Sequence, residues 1–95
     1  MQTIEEAVKH RRSQMLIHSY LYYHLDDPII PDDKWQEWAE DLTELHKTCT
    51  MIGFYDKEFA DWDGSTGMHL PVDDFVREKA HKLRLYRDKN GTTIT

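Results

Sequence analysis

The residues best suited to chemistry lie around one junction, between His18 and Trp35. Tyr20, Tyr22 and Tyr23 close one apolar-periodic segment, and Trp35 and Trp38 open the next. Two helices joined by so short a turn bring these rings together, beside Asp32. Flat aromatic rings with a nearby carboxylate can sandwich a planar, cationic heterocycle by stacking and cation–π attraction. The same rings can instead pack the base of a helical hairpin. Composition leaves both roles open.

Other chemistry-bearing residues make weaker patterns. His10, His18, His24, His46, His69 and His81 form no HxxxH pair or ExxH repeat, and read as surface or helix-flanking side chains. His46 with Cys49 is half of a metal site at most, so no metal ligands are assigned. Cys49 falls on an apolar stripe and reads as core. Asp61-Trp62-Asp63-Gly64-Ser65 resembles the DxDG[ST] nucleophile loop of haloacid-dehalogenase phosphatases. That loop must leave a strand of a Rossmann-like sheet, which this chain lacks, so it reads as a glycine turn. A calcium loop fails because Phe59 and Leu70 stand where the first and last ligands belong. No GxSxG, P-loop or GxGxxG occurs.

The elements that must position these residues are helical. Apolar residues from Ile4 to Leu25 recur at mixed three- and four-residue spacings, with Lys9, Arg11 and Arg12 facing water, which predicts a helix over about 3–25. Asp26-Asp27-Pro28 stops it. Asp32 or Asp33 caps the next helix, over 33–52, with Gln36 at the capping-box position if Asp33 is the cap. Trp35, Trp38, Ala39, Leu42, Leu45, Cys49 and Ile52 form its stripe, and Gly53 ends it. Residues 54–62 read as a short helix or turn. Asp73 or Asp74 caps a last helix over 72–88, and 92–95 reads as a frayed tail. The expectation is an all-α domain of three or four helices over 1–91, built on an N-terminal antiparallel helical hairpin.

Ninety-five residues hold one domain, and exclude a complete kinase, nucleotidyltransferase, Rossmann dehydrogenase or barrel enzyme. One cysteine permits no internal disulfide. No apolar run suits a membrane span and the first residues are not a signal peptide, so the expectation is a soluble, cytoplasmic protein. The net charge of −6 is uneven: residues 26–63 hold 12 acids against three lysines, a balance of −9. That balance disfavours direct contact with nucleic acid, whose phosphates want clustered Lys and Arg.

From about Met15 to Leu45 the sequence resembles the N-terminal Ia domain of NAD-dependent bacterial DNA ligases. That family shows Y-x-Y-[YH]-x-x-D-x-P closing one helix, [IV]-x-D-x-x-Y-D opening the next and L-x-x-L further on. Tyr20, Tyr22, Tyr23, Asp26, Pro28, Ile30 and Asp32 match without a gap, and Leu42 and Leu45 continue in register. The resemblance implies that the domain binds the nicotinamide mononucleotide half of NAD and closes it over an adenylation domain. Tyr22, Tyr23 and Asp32 would then sit in the nicotinamide-ribose site, with Trp35 as a stacking ring. Trp35-Gln36 replaces the family's Tyr–Asp pair, which removes one carboxylate. The adenylation motif KxDG does not occur in these residues, so ligation by this chain alone is not expected.

Two functions are compatible with these residues, and the charge asymmetry together with the carboxylate lost at Gln36 favours the second. One is a stand-alone module that binds NAD or nicotinamide mononucleotide through Tyr22, Tyr23, Asp32 and Trp35, as a split-ligase subunit or sensor. The other is a non-catalytic protein–protein module on the reused scaffold. Asp33, Glu37, Glu40, Asp41 and Glu44 would dock on a basic, nucleic-acid-handling enzyme, as phage or mobile-element inhibitors of restriction or CRISPR do by analogy. A self-sufficient enzyme is not expected, because no nucleophile–base pair, metal cluster or phosphate loop is present.

Overall fold

The computed structural model describes residues 2–60 and 62–90, which form three α-helices and a π-helical turn. Helix α1 spans Ile4–Ser19 and runs directly into the π turn Tyr20–His24; α2 spans Asp32–His46 and α3 Asp74–Asn90. The chain is all-α, as its periodicity predicts. The proposed tail at 92–95 lies outside the described residues.

Thr3 caps α1: its hydroxyl accepts from the Glu6 N–H at 3.1 Å, while Glu5 and Glu6 suit the positive end of the helix. α1 is the central helix, packed against both α2 and α3. Its two buried faces explain why its apolar residues adopt mixed spacings rather than one stripe. Met15, Leu16, Trp38, Ala39, Leu42 and Val76 are among the residues of the main core. Ile17, Leu21, Ile29 and Ala80 make a second cluster beneath α3. Trp35 reaches Ser19 and His46 reaches Arg12, so α1 and α2 run antiparallel.

Several local expectations are corrected. The first helix does not continue as α-helix to residue 25; from Tyr20 it widens into the π turn, where the Leu25 N–H donates to the Tyr20 carbonyl at 3.2 Å. Asp26 comes next at φ +49°, in the left-handed region, and its successor Asp27 donates back to Leu21. Pro31, not an aspartate, is the cap residue of α2, and Asp32 and Asp33 occupy its first turn. Of residues 54–62, read as a short helix or turn, the described ones are bends and hydrogen-bonded turns. For α3, Asp73 is the cap, its carboxylate accepting from the Val76 N–H at 3.0 Å.

A larger correction concerns Arg12, which does not face water: it is 1% exposed. Its guanidinium donates to His46 Nε2 at 3.1 Å, to the Phe54 and Thr50 carbonyls at 2.7 and 2.9 Å, and to Asp56 at 2.7 Å. Asp56 in turn accepts from the Ile52 and Gly53 N–H groups at 3.0 and 2.8 Å. These bonds draw residues 50–56 across α1. In the segment where α2 would have continued, Arg12 takes the Thr50 carbonyl and Asp56 the Ile52 N–H, and α2 ends at His46 instead of 52. Cys49, half-buried, still packs against the main core.

His18 is also corrected from surface to interior. It is 6% exposed, its ring lies 5.3 Å from that of Trp38, and its buried Nδ1 has no hydrogen-bond partner. Burial pushes its pKa down to about 4.

Candidate functional site

The π turn and the first turn of α2 face one another across a short connector. A straight α-helix continuing from Ser19 would place Tyr22 and Tyr23 about 100° apart on a regular cylinder. The wider π turn changes that register, and the two rings meet edge to face with centroids 4.8 Å apart. Such inserted turns recur at functional sites. Across from them Trp35 is held by its indole N–H, which donates to the Ser19 hydroxyl at 3.2 Å.

Tyr22, Tyr23, Asp32, Trp35, Gln36 and Ser65 line a cavity of about 170 Å³. A dry cavity of roughly 150 Å³ accepts benzene, so this one has room for a single six-membered heterocycle. The structure thus brings Tyr22, Tyr23, Asp32 and Trp35 to one place. Its chemistry comprises aromatic surfaces, one carboxylate from Asp32, and the neutral amide and hydroxyl of Gln36 and Ser65. That set can stack on a flat ring and favour a positive one.

The other two rings of the junction are placed elsewhere. Tyr20 packs on the core and stacks with His24 at 5.7 Å, and Trp38 is buried against His18. Packing of the hairpin base and lining of a cavity therefore both occur, divided among the five aromatics.

The five acids of α2 named for docking, Asp33, Glu37, Glu40, Asp41 and Glu44, are exposed. Three of them have cationic neighbours: Asp41 with Arg11 at 2.7 Å, Glu37 with Lys34 at 3.7 Å and Glu44 with Lys47 at 3.0 Å. Glu40 accepts from the Gln36 amide at 3.4 Å, and Asp33 from the Lys34 N–H at 3.1 Å.

Ser65 enters the sequence reading only through the phosphatase-like pattern, and nothing there assigns it to this cavity. It belongs to the Asp63–Gly67 loop, where Asp63 accepts from the Ser65 hydroxyl at 2.6 Å and from its N–H at 2.9 Å, which holds the Asp63 carboxyl below its usual range. The glycine pair signals a turn, but nothing local signals that the turn ends 43 residues away at Tyr23, where Thr66 donates to the phenol at 3.2 Å. Asp61 of the phosphatase-like pattern lies outside the described residues, and the described residues include no strand. Among them no group of three or more His, Cys, Asp or Glu could hold a metal ion. No helix among them is long and apolar enough to cross a membrane.

Comparison with curated proteins and with solved structures finds no match. A family model does match: the DNA ligase-like, N-terminal NAD+-binding domain, over residues 1–51. That segment contains α1, the π turn and α2, and with them five of the six residues around the cavity. The match takes in more than half of the 95 residues, and the chain belongs to the DNA ligase-like, N-terminal NAD+-binding domain family.

Proposed function

We propose that this chain binds the nicotinamide end of NAD, or nicotinamide mononucleotide itself, in the cavity between the π turn and α2. The observation that carries the reading is the convergence of Tyr22, Tyr23, Trp35 and Asp32 on a space of one-ring size. The aromatic surfaces stack on the pyridinium, and the Asp32 carboxylate offsets its positive charge. The cavity supplies binding groups rather than a nucleophile paired with a base, so the role is to hold and present the nucleotide. Adenylation chemistry would come from another chain or segment, as in a split ligase, or would not be used, as in a sensor.

Gln36 sets the strength of the site. A carboxylate there would add a second charge facing the ring. Partly exposed charge pairs contribute ~0.2–1 kcal/mol, so Gln36→Asp should tighten nicotinamide mononucleotide binding by up to about fivefold. The primary test is a titration of the full chain with nicotinamide mononucleotide, monitored by tryptophan fluorescence, with Trp35→Phe as the signal control. Saturable quenching that disappears in Tyr22→Ala supports the reading. No saturation by about 5 mM, a binding free energy of only ~3 kcal/mol, refutes it.

Docking of the α2 acids on a basic nucleic-acid-handling partner is the second reading, carried by their shared exposure. Exposed ion pairs such as Arg11–Asp41 cost little to open, so the acids stay available. A complex formed this way would weaken steeply with salt; salt-independent affinity would exclude it.

A further inference from the structure

The cavity has one wall that the ligase-like segment does not supply. Ser65 lines it, and Ser65 lies beyond residues 1–51. The loop carrying Ser65 is tied at several points. The Trp62 indole N–H donates to the Thr66 carbonyl at 2.7 Å, the Thr66 hydroxyl to Tyr23 at 3.2 Å, and the Met68 N–H to the Thr66 hydroxyl at 3.2 Å.

Its two glycines sit where nothing larger fits. Gly64 adopts φ +86°, and a Cβ there would lie 2.7 Å from Thr43 Oγ1 on α2. A Cβ on Gly67 would lie 2.0 Å from Ser19 Oγ, 2.6 Å from Ser19 Cβ and 3.2 Å from the Trp35 ring. Ser19 is buried and is the residue that holds the Trp35 indole. The loop therefore closes on both helices of the hairpin, against the very group that orients the stacking tryptophan.

We infer that residues 62–67 are a built-in wall of the nicotinamide site. Ser65 is its polar contact, Thr66 the positioning residue that fixes Tyr23, and Gly67 the position that lets the wall seat over Trp35. This rests on the nicotinamide reading of the cavity. It makes the ring site complete within one chain, so that nicotinamide mononucleotide is held without an adenylation domain closing over it.

The test is a parallel titration of wild type, Thr66→Val, Gly67→Ala and Tyr22→Ala with nicotinamide mononucleotide, each checked for helicity by circular dichroism. Thr66→Val keeps the side-chain shape and the Trp62 bond to the carbonyl, and removes only the hydroxyl. The expected result is saturable wild-type binding, weakened about tenfold in Thr66→Val by loss of the hydroxyl's bonds to the Tyr23 phenol and from the Met68 N–H, weakened further in Gly67→Ala, and abolished in Tyr22→Ala. If Gly67→Ala fails to fold, Thr66→Val decides. Wild-type affinity in the loop variants, with Tyr22→Ala still inactive, would overturn the wall and leave the nicotinamide site standing. No wild-type saturation by about 5 mM would overturn the ligand and the wall together.

Discussion

Without the Arg12 guanidinium, the Thr50 and Phe54 carbonyls and the Asp56 carboxylate would each lose a charged donor. Arg12 is buried but its partner Asp56 is 19% exposed, so removing Arg12 should cost more than the ~1 kcal/mol of a surface pair and less than the ~3–5 kcal/mol of a fully buried one, while a domain of this length has roughly 5–14 kcal/mol in all. Arg12→Met should therefore lower the urea midpoint sharply, and Arg12→Lys should not restore it, because an ammonium cannot fork between those acceptors. A loss below ~1 kcal/mol would show that the cluster is solvated instead. Arg12 and His18 are also where the sequence is least legible. Charge and polarity suggest solvent for both, and only partners more than 30 residues away, or a buried ring face, reverse that.

The π turn works at the scale of the element. Leu25 closes it, and Asp26 follows at φ +49°, a conformation that costs an L-residue ~1 kcal/mol or more. Relief of ~1–2 kcal/mol of left-handed strain, less the ~0.5–1 kcal/mol that glycine costs in chain entropy, means that Asp26→Gly should raise stability by up to ~1 kcal/mol, read as a higher melting temperature, and leave the cavity intact; a lower melting temperature would mean that the Asp26 side chain has a role of its own. The position of this turn is legible in Asp26-Asp27-Pro28, and so is the first turn of α2, because local backbone chemistry sets both. The gap-free spacing from Tyr20 to Asp32 likewise foretells which side chains become neighbours. The π geometry is not legible, since no residue type demands it. The end of α2 is misread because the stripe through Cys49 and Ile52 is real as a packing pattern, while the backbone there is claimed by Arg12 and Asp56.

For the molecule as a whole, the buried groups predict an acid-sensitive fold. The unfolded His18 binds its proton near pH 6.5 and the folded one only near pH 4, because burial disfavours the cation. The unfolded state thus binds more protons between those values, and stability falls as pH drops from about 6.5 to 4, by ~3 kcal/mol from His18 alone. His46 shifts the same way through burial and the Arg12 charge. Below pH 4 the sign is unchanged: the Ile52 N–H, Arg12 and the Gly53 N–H hold the Asp56 carboxyl down at about 2, and its contribution is lost as pH falls from 3.8 towards 2. Thermal melts from pH 7.5 to 4 should show the first decline, and His18→Leu should flatten it; a flat wild-type profile would contradict the buried neutral imidazole. Helix α3 adds a second tie between the two halves of the chain, with Arg84 and Arg87 reaching Asp27 beside the π turn. The tie at Arg12 has a different consequence. Two of its four acceptors are main-chain carbonyls, which every amino acid possesses. The seam joining the ligase-like hairpin to residues 50–56 is therefore blind to side-chain identity at Thr50, and substitutions there can accumulate as long as Arg12 itself is kept.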